Sequence, residues 1–184
     1  MRIKEQGKVI YCQSCICCLS RIRIYYRGIA KNLSLSAELK SFKLVNIEIK
    51  SEIAEFLSEV NINNCQGIIN NYTLTNLTIN NCIFTNESYE ILIKGVLTHK
   101  TLESLDFSNN NLTDKAGNMI GRIISRQSQR RDQIVWMYGL RNEKPSNNDY
   151  AKGLVEINLS NNNLSDISAD DIANALGYDV YLRV

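Results

Sequence analysis

Apolar residues alternate in four short runs along the chain, and three of these runs lead into a stretch where apolar residues recur every three to four positions. The runs are LKSFKLVNIEI (Leu39, Phe42, Leu44, Ile47, Ile49), TLTNLTINNCIF (Leu74, Leu77, Ile79, Cys82, Phe84), TLESLDFSNNNL (Leu102, Leu105, Phe107, Asn110, Leu112) and GLVEINLSNNNL (Leu154, Ile157, Leu159, Asn162, Leu164). Alternation predicts strands and the following period predicts helices. Steps of 8, 9 and 12 from the last apolar residue of three runs reach Leu92, Ile93 and Val96, then Ile120, Gly121 and Ile124, then Ile172, Ala173 and Leu176. One buried stripe is thus expected on each helix. Thr113 with Asp114, and Ser165 with Asp166, stand where helix N-caps are needed.

The common pattern L-x-x-L-x-L-x-x-N-x-L is that of leucine-rich repeats. A single β-α unit cannot bury its own apolar face, so neighbours must stack. The expected fold is α/β: a leucine-rich repeat solenoid, a ribonuclease-inhibitor-like right-handed β-α superhelix with a helical insertion. Leu74 to Leu102 and Leu154 to Leu182 are each 28 residues, whereas Leu102 to Leu154 is 52, which places a 24-residue excess near residues 126–149. The chain divides into an N-terminal helical flank or cap, 1–33, and repeats over 34–184, about four in number. A fifth strand begins near Leu182, so the length looks like a place where the array is cut short.

Composition narrows the function. The net charge of the 184 residues is +2, too small for a nucleic-acid binder that must neutralise phosphates, and no run of about 18 apolar residues could cross a membrane. Four of six cysteines crowd at Cys12, Cys15, Cys17 and Cys18, without the second separated pair a structural zinc site needs. They are expected as ordinary thiols on an N-terminal helix in a reducing, cytoplasmic compartment. His99, expected as a partly exposed cation at a helix end, has no motif-linked nucleophile, so neither an enzyme nor a cofactor is expected.

Asparagine is abundant, with 23 residues, and its placement matters. Cys82, Asn110 and Asn162 are expected to form a structural ladder that satisfies backbone groups of adjacent turns. The strand face away from the helices should carry Ser41, Lys43, Val45, Asn76, Thr78, Asn80, Ser104, Asp106, Ser108, Glu156, Asn158 and Ser160, a small polar surface without the aromatics and arginines that dominate interfaces. The insertion, SQRRDQIVWMYGL, is the better candidate for protein binding through Arg130, Arg131, Trp136 and Arg141. Packing of Trp136 and Leu140 against the array is the competing expectation.

The order Arg130-Arg131, Trp136, Leu140-Arg141, Pro145 and Gly153-Leu154, with Asp166, Ala169, Asp171 to Leu176, Asp179 and Leu182 in the next repeat, resembles the centrosomal protein of 78 kDa family. The resemblance runs from about Lys31 to Val184. It implies a non-enzymatic scaffold at centrioles and basal bodies, tied to cilium assembly and to control of a centrosomal ubiquitin ligase, with centriolar proteins and the ligase complex as partners. Other readings are a ribonuclease-inhibitor-like or Ran GTPase-activating-like regulator of another enzyme, or an inactive repeat fragment. The open C-terminal repeat is expected to fray or self-associate.

Overall fold

The computed structural model describes residues 2–6, 9–13, 38–58, 71–84, 86–146, 153–177 and 179. Strands β1 (Arg2–Gln6), β2 (Val9–Gln13), β3 (Ser41–Val45), β5 (Asn76–Asn80), β7 (Ser104–Asp106) and β8 (Glu156–Asn158) form one sheet in the order β1-β2-β3-β5-β7-β8. All neighbours from β2 to β8 are parallel, and β1 alone runs antiparallel. The short strands β4 (Glu48–Ile49) and β6 (Ile83–Phe84) pair beside it. Helices α1 (Ser51–Ser58), α2 (Asn86–Thr98), α3 (Asp114–Leu140) and α4 (Asp166–Leu176) follow the successive repeat strands.

The register aligns equivalent repeat positions. Phe42, Leu77, Leu105 and Ile157 lie in one row across the sheet, and Leu44 pairs with Ile79 in the next. All are buried, with Ile49, Leu57, Leu74, Leu92, Ile93, Phe107, Ile120 and Ile124. Each such side chain contributes about 1.5–3 kcal/mol of burial energy, which a lone repeat could not collect. This is a leucine-rich repeat type of α/β fold.

Two expectations need correction. Where an N-terminal helix was expected, Arg2–Gln6 and Val9–Gln13 are strands, so Cys12 sits on β2 opposite Leu44. The physical reason is the alternation VIYCQ, which lets Ile10 join the row of Phe42 as one more repeat-like strand. Cys15, Cys17, Cys18, Cys65 and the expected strand at Leu182 lie outside the described residues.

The stripe on α4 is also shifted. Ile172 is buried as expected, but Ala173 is exposed, and Ser168 and Ala175 are buried. The cause is a close approach of α3 and α4 at two glycines. A Cβ on Gly117 would lie 2.8 Å from Ser168 Cα, and one on Gly121 would lie 3.0 Å from the Asp171 carbonyl. The small face of α4 therefore turns toward α3. Gly117→Ala should force the helices apart and lower stability by about 1–3 kcal/mol in a urea titration; an unchanged midpoint would contradict the contact.

The helix starts differ from each other. Ser165 Oγ accepts from the Ile167 amide at 3.3 Å, whereas Thr113 makes no side-chain cap. Asp114 instead joins the two helices, its carboxylate accepting from the Ser165 amide and hydroxyl at 2.8 Å and the Ser168 hydroxyl at 2.6 Å. The Ser168 bond first, then those from Ser165, hold this carboxyl below its usual range.

Candidate functional site

Two asparagine ladders and a set of turn hydroxyls build the edge of the sheet where the strands end. In the first ladder, Asn110 Oδ1 accepts from the Cys82 amide at 2.8 Å, and its Nδ2 donates to the carbonyls of Ile79 at 2.6 Å and Phe107 at 2.8 Å. Asn162 repeats the scheme one repeat on, accepting from the amides of Asn110 and Leu112 at 3.0 Å and donating to Phe107 and Leu159. Cys82 fills the same place with a thiol that donates to the Leu44 and Asn80 carbonyls at 3.7 and 3.4 Å. Burial pushes that thiol up to about 11, against the smaller opposing effect of its backbone hydrogen bonds. Cys82 should therefore resist alkylation at pH 8 in the native protein and react on unfolding, read by peptide mass spectrometry; labelling at the rate of an open thiol would contradict its burial.

The second ladder was not anticipated. Asn46, Asn81, Asn109 and Asn161 all have φ between 51° and 59°, in the left-handed region that asparagine tolerates better than other side chains. Asn81 Nδ2 donates to Asn46 Oδ1 at 2.6 Å, and Asn161 Nδ2 to Asn109 Oδ1 at 3.0 Å. Half of what makes this chain rich in asparagine is thus a backbone conformation, for which the repeat consensus has no letter. His99 is a third structural polar group. It is buried, not a partly exposed cation, and its Nδ1 accepts from the Thr101 amide at 3.3 Å, as Asn71 Oδ1 accepts from Thr73 one repeat earlier.

The open face of the sheet carries the expected residues, but Ser108 is buried and many of their polar groups are spent on one another. Asp106 Oδ1 accepts from the Ser108 amide and hydroxyl, Asn158 Oδ1 does the same for Ser160, and Asn80 Nδ2 donates to Ser108 Oγ at 2.8 Å. Ser104 Oγ meets Glu156 at 3.3 Å. Such a surface is polar and already satisfied.

The insertion is built differently. It prolongs α3 without a break to 27 residues, against 13 for α2 and 11 for α4. Aligned through the repeat, α2 ends opposite Arg126 and α4 opposite Ile124, so Trp136 lies about 15 Å beyond both neighbours at a rise of about 1.5 Å per residue. Nothing among the described residues reaches it. Trp136 is 65% exposed and Leu140 67%, with Val135 and Met137 also exposed, so the expectation that Trp136 and Leu140 pack against the array is overturned.

The arginines divide. Arg131 is buried, pairs with Asp179 and donates to the Leu154 carbonyl at 3.1 Å, which makes it a tie between α3, the end of α4 and the start of the last repeat. Arg130 is half-buried and donates to the His99 carbonyl at 2.9 Å, with Gln127 on the same oxygen at 3.3 Å. Arg141 is exposed beside Leu140. The residues grouped by sequence are therefore not one patch: Arg131 faces inward, Arg130 lies at the groove between α2 and α3, and Trp136 and Arg141 stand at the free end.

That end is well formed. Asn142, at φ 56°, stops the helix; its amide donates to the Gly139 carbonyl at 3.1 Å and the Glu143 amide to Tyr138 at 3.0 Å. This double closure is a Schellman motif, and it holds the last turn of α3 in place.

Comparison with known proteins agrees with the repeats and leaves the insertion between them. A model of the family Leucine Rich Repeat matches residues 101–123 and 153–175. Centrosomal protein of 78 kDa from Homo sapiens is 28% identical over 152 residues, covering 82% of this chain and 21% of the relative. The Mus musculus protein of the same name is also 28% identical over 152 residues, which are 18% of its length. The chain thus spans about a fifth of the length of the curated relatives it matches. It carries leucine-rich repeats, and over four-fifths of its length it is similar to centrosomal protein of 78 kDa.

Proposed function

We propose that this protein is a non-enzymatic interaction module that acts at the centrosome, using the free end of α3 as its principal protein-binding surface. The single observation that carries the binding surface is the exposure of Trp136 and Leu140, at 65% and 67%, on a helix end that is capped and rigid. Indole and aliphatic groups displayed in this way lose water on binding and dominate interface energy. The satisfied polar face of the sheet supports the same choice by elimination. The centrosomal location rests on the similarity to centrosomal protein of 78 kDa.

In this reading the stacked repeats are a curved solenoid whose role is to hold α3 in position. The finer role is that of a scaffold at centrioles and basal bodies during cilium assembly, with centriolar proteins and a ubiquitin ligase under its control. The test is localisation of a tagged full chain in ciliated cells beside the Trp136→Ala/Leu140→Ala variant. The expected result is centrosomal signal for the first and diffuse signal for the second, at equal protein level. Diffuse signal for the unaltered chain would overturn the location, and equal centrosomal signal for both would overturn the surface.

A further inference from the structure

A groove of about 670 Å³ runs between the C-terminal end of α2 and the middle of α3. Lys100, Arg122, Arg126 and Arg130 line it, and no carboxylate does. None of the four forms an ion pair with a described residue, since the printed pairs there are Lys50 with Glu48 and Arg131 with Asp179. Burial, and then the charge of Arg126, push the Arg130 guanidinium below its ordinary value, so the cations are felt by one another and are not screened by a neighbouring acid. A cluster of like charge costs folding energy that a bound anion would return.

The groove does not end in solvent. Arg122, Arg126, Gln129, Gln133, Trp136 and Leu140 follow at steps of four, three, four, three and four residues, which keeps them on one face of α3. The face extends about 27 Å from Arg122 to Leu140 at about 1.5 Å per residue. Its first half is basic and its last two turns are apolar.

We propose that this groove and the free end of α3 form one docking surface for an acidic, amphipathic segment of a partner protein. Its carboxylates meet Lys100, Arg122, Arg126 and Arg130, and its apolar side chains cover Trp136 and Leu140. Charge complementarity selects an acidic occupant, and the apolar half selects a polypeptide. A nucleic acid or an anionic membrane would satisfy the cations alone, and the net charge of +2 supplies no wider basic field to hold either. This inference deepens the interaction role proposed above and rests on it.

The test pans random displayed peptides against the full chain and measures the retained peptides by fluorescence anisotropy. The expected peptides carry several acids beside a block of apolar residues. Their affinity should fall by about tenfold or more in Arg122→Glu/Arg126→Glu and in Trp136→Ala, and weaken with added salt for the charged half. Arg122, Arg126 and Trp136 are exposed, so these variants should keep the circular dichroism and melting temperature of the parent. Retained peptides that are neutral or basic, peptides that bind both variants like the parent, or no retained peptide would overturn the proposal. Polyuridylate RNA or phosphatidylserine vesicles that bind the parent more tightly than any peptide, and lose binding in the charge reversal, would overturn it in favour of a polyanion. Peptides lost on Lys43→Glu and untouched by the α3 variants would leave the interaction role standing and remove only this surface.

Discussion

Arg131→Ala should lower the free energy of unfolding by about 3–5 kcal/mol, the largest loss of any single substitution on α3. The pair of Arg131 with Asp179 is buried on both sides, at 4% and 0% side-chain exposure. Removing the guanidinium leaves the Asp179 carboxylate in the interior without its cation, and it also takes a donor from the Leu154 carbonyl. The residues it joins lie 48 positions apart, at the middle of α3 and just beyond α4, so the last repeat should loosen first. Asp179→Ala should cost a similar amount, while Arg131→Met/Asp179→Leu, which removes both charges together, should recover most of the loss. Urea titrations of the three variants and the parent measure this directly. A fall below about 1 kcal/mol for Arg131→Ala is what a solvent-exposed pair would give, and would contradict the burial.

Asn110→Ala should cost about 3–5 kcal/mol, because each buried backbone group left without its partner costs about 1–3 kcal/mol. The side chain serves the Cys82 amide and the carbonyls of Ile79 and Phe107, all in the buried turn between two repeats. Asn110→Asp should destabilise as well, since a carboxylate keeps the acceptor and loses the donor to two carbonyls. Asn162→Ala should cost roughly half as much, because water can reach part of that turn and replace some of its bonds. Equal losses at Asn110 and Asn162 would mean that burial does not set the scale.

The strand register was legible because a two-residue period and a 28-residue spacing both had to hold at once, and Phe42, Leu77, Leu105 and Ile157 met them. Asn110 was legible for a related reason: the turn it serves recurs, so the residue type recurs with it. The left-handed positions at Asn46, Asn81, Asn109 and Asn161 were hidden, since a backbone dihedral leaves only a preference in the sequence. The shift of α4 was hidden too. It depends on the missing side chains of Gly117 and Gly121 meeting Ser168 and Asp171, a contact between elements about 50 residues apart.

The candidate site shows the same limit. Five apolar residues in a row with two arginines before them read equally as an anchor tucked inward or as an exposed surface. The choice depends on where the neighbouring helices stop, and α2 and α4 both stop about ten residues short of Trp136. Arg130 and Arg131 are adjacent in sequence yet face different surroundings, because neighbouring positions on a helix point about 100° apart. The strands at Arg2–Gln6 and Val9–Gln13 were missed because the cysteines between them and the first repeat drew attention to the cluster and away from the alternation of VIYCQ.

The account turns on α3 ending in water, with its apolar tip held ready for a partner and not folded back on the repeats. Trp136 is the only tryptophan in the chain, so its fluorescence reports on that tip without any substitution. In the native protein its emission should already lie close to that of the urea-unfolded chain, with acrylamide quenching nearly as efficient in both states. A blue-shifted native emission that is shielded from acrylamide and red-shifts on unfolding would show the indole buried against the array, and would contradict the binding surface at its root.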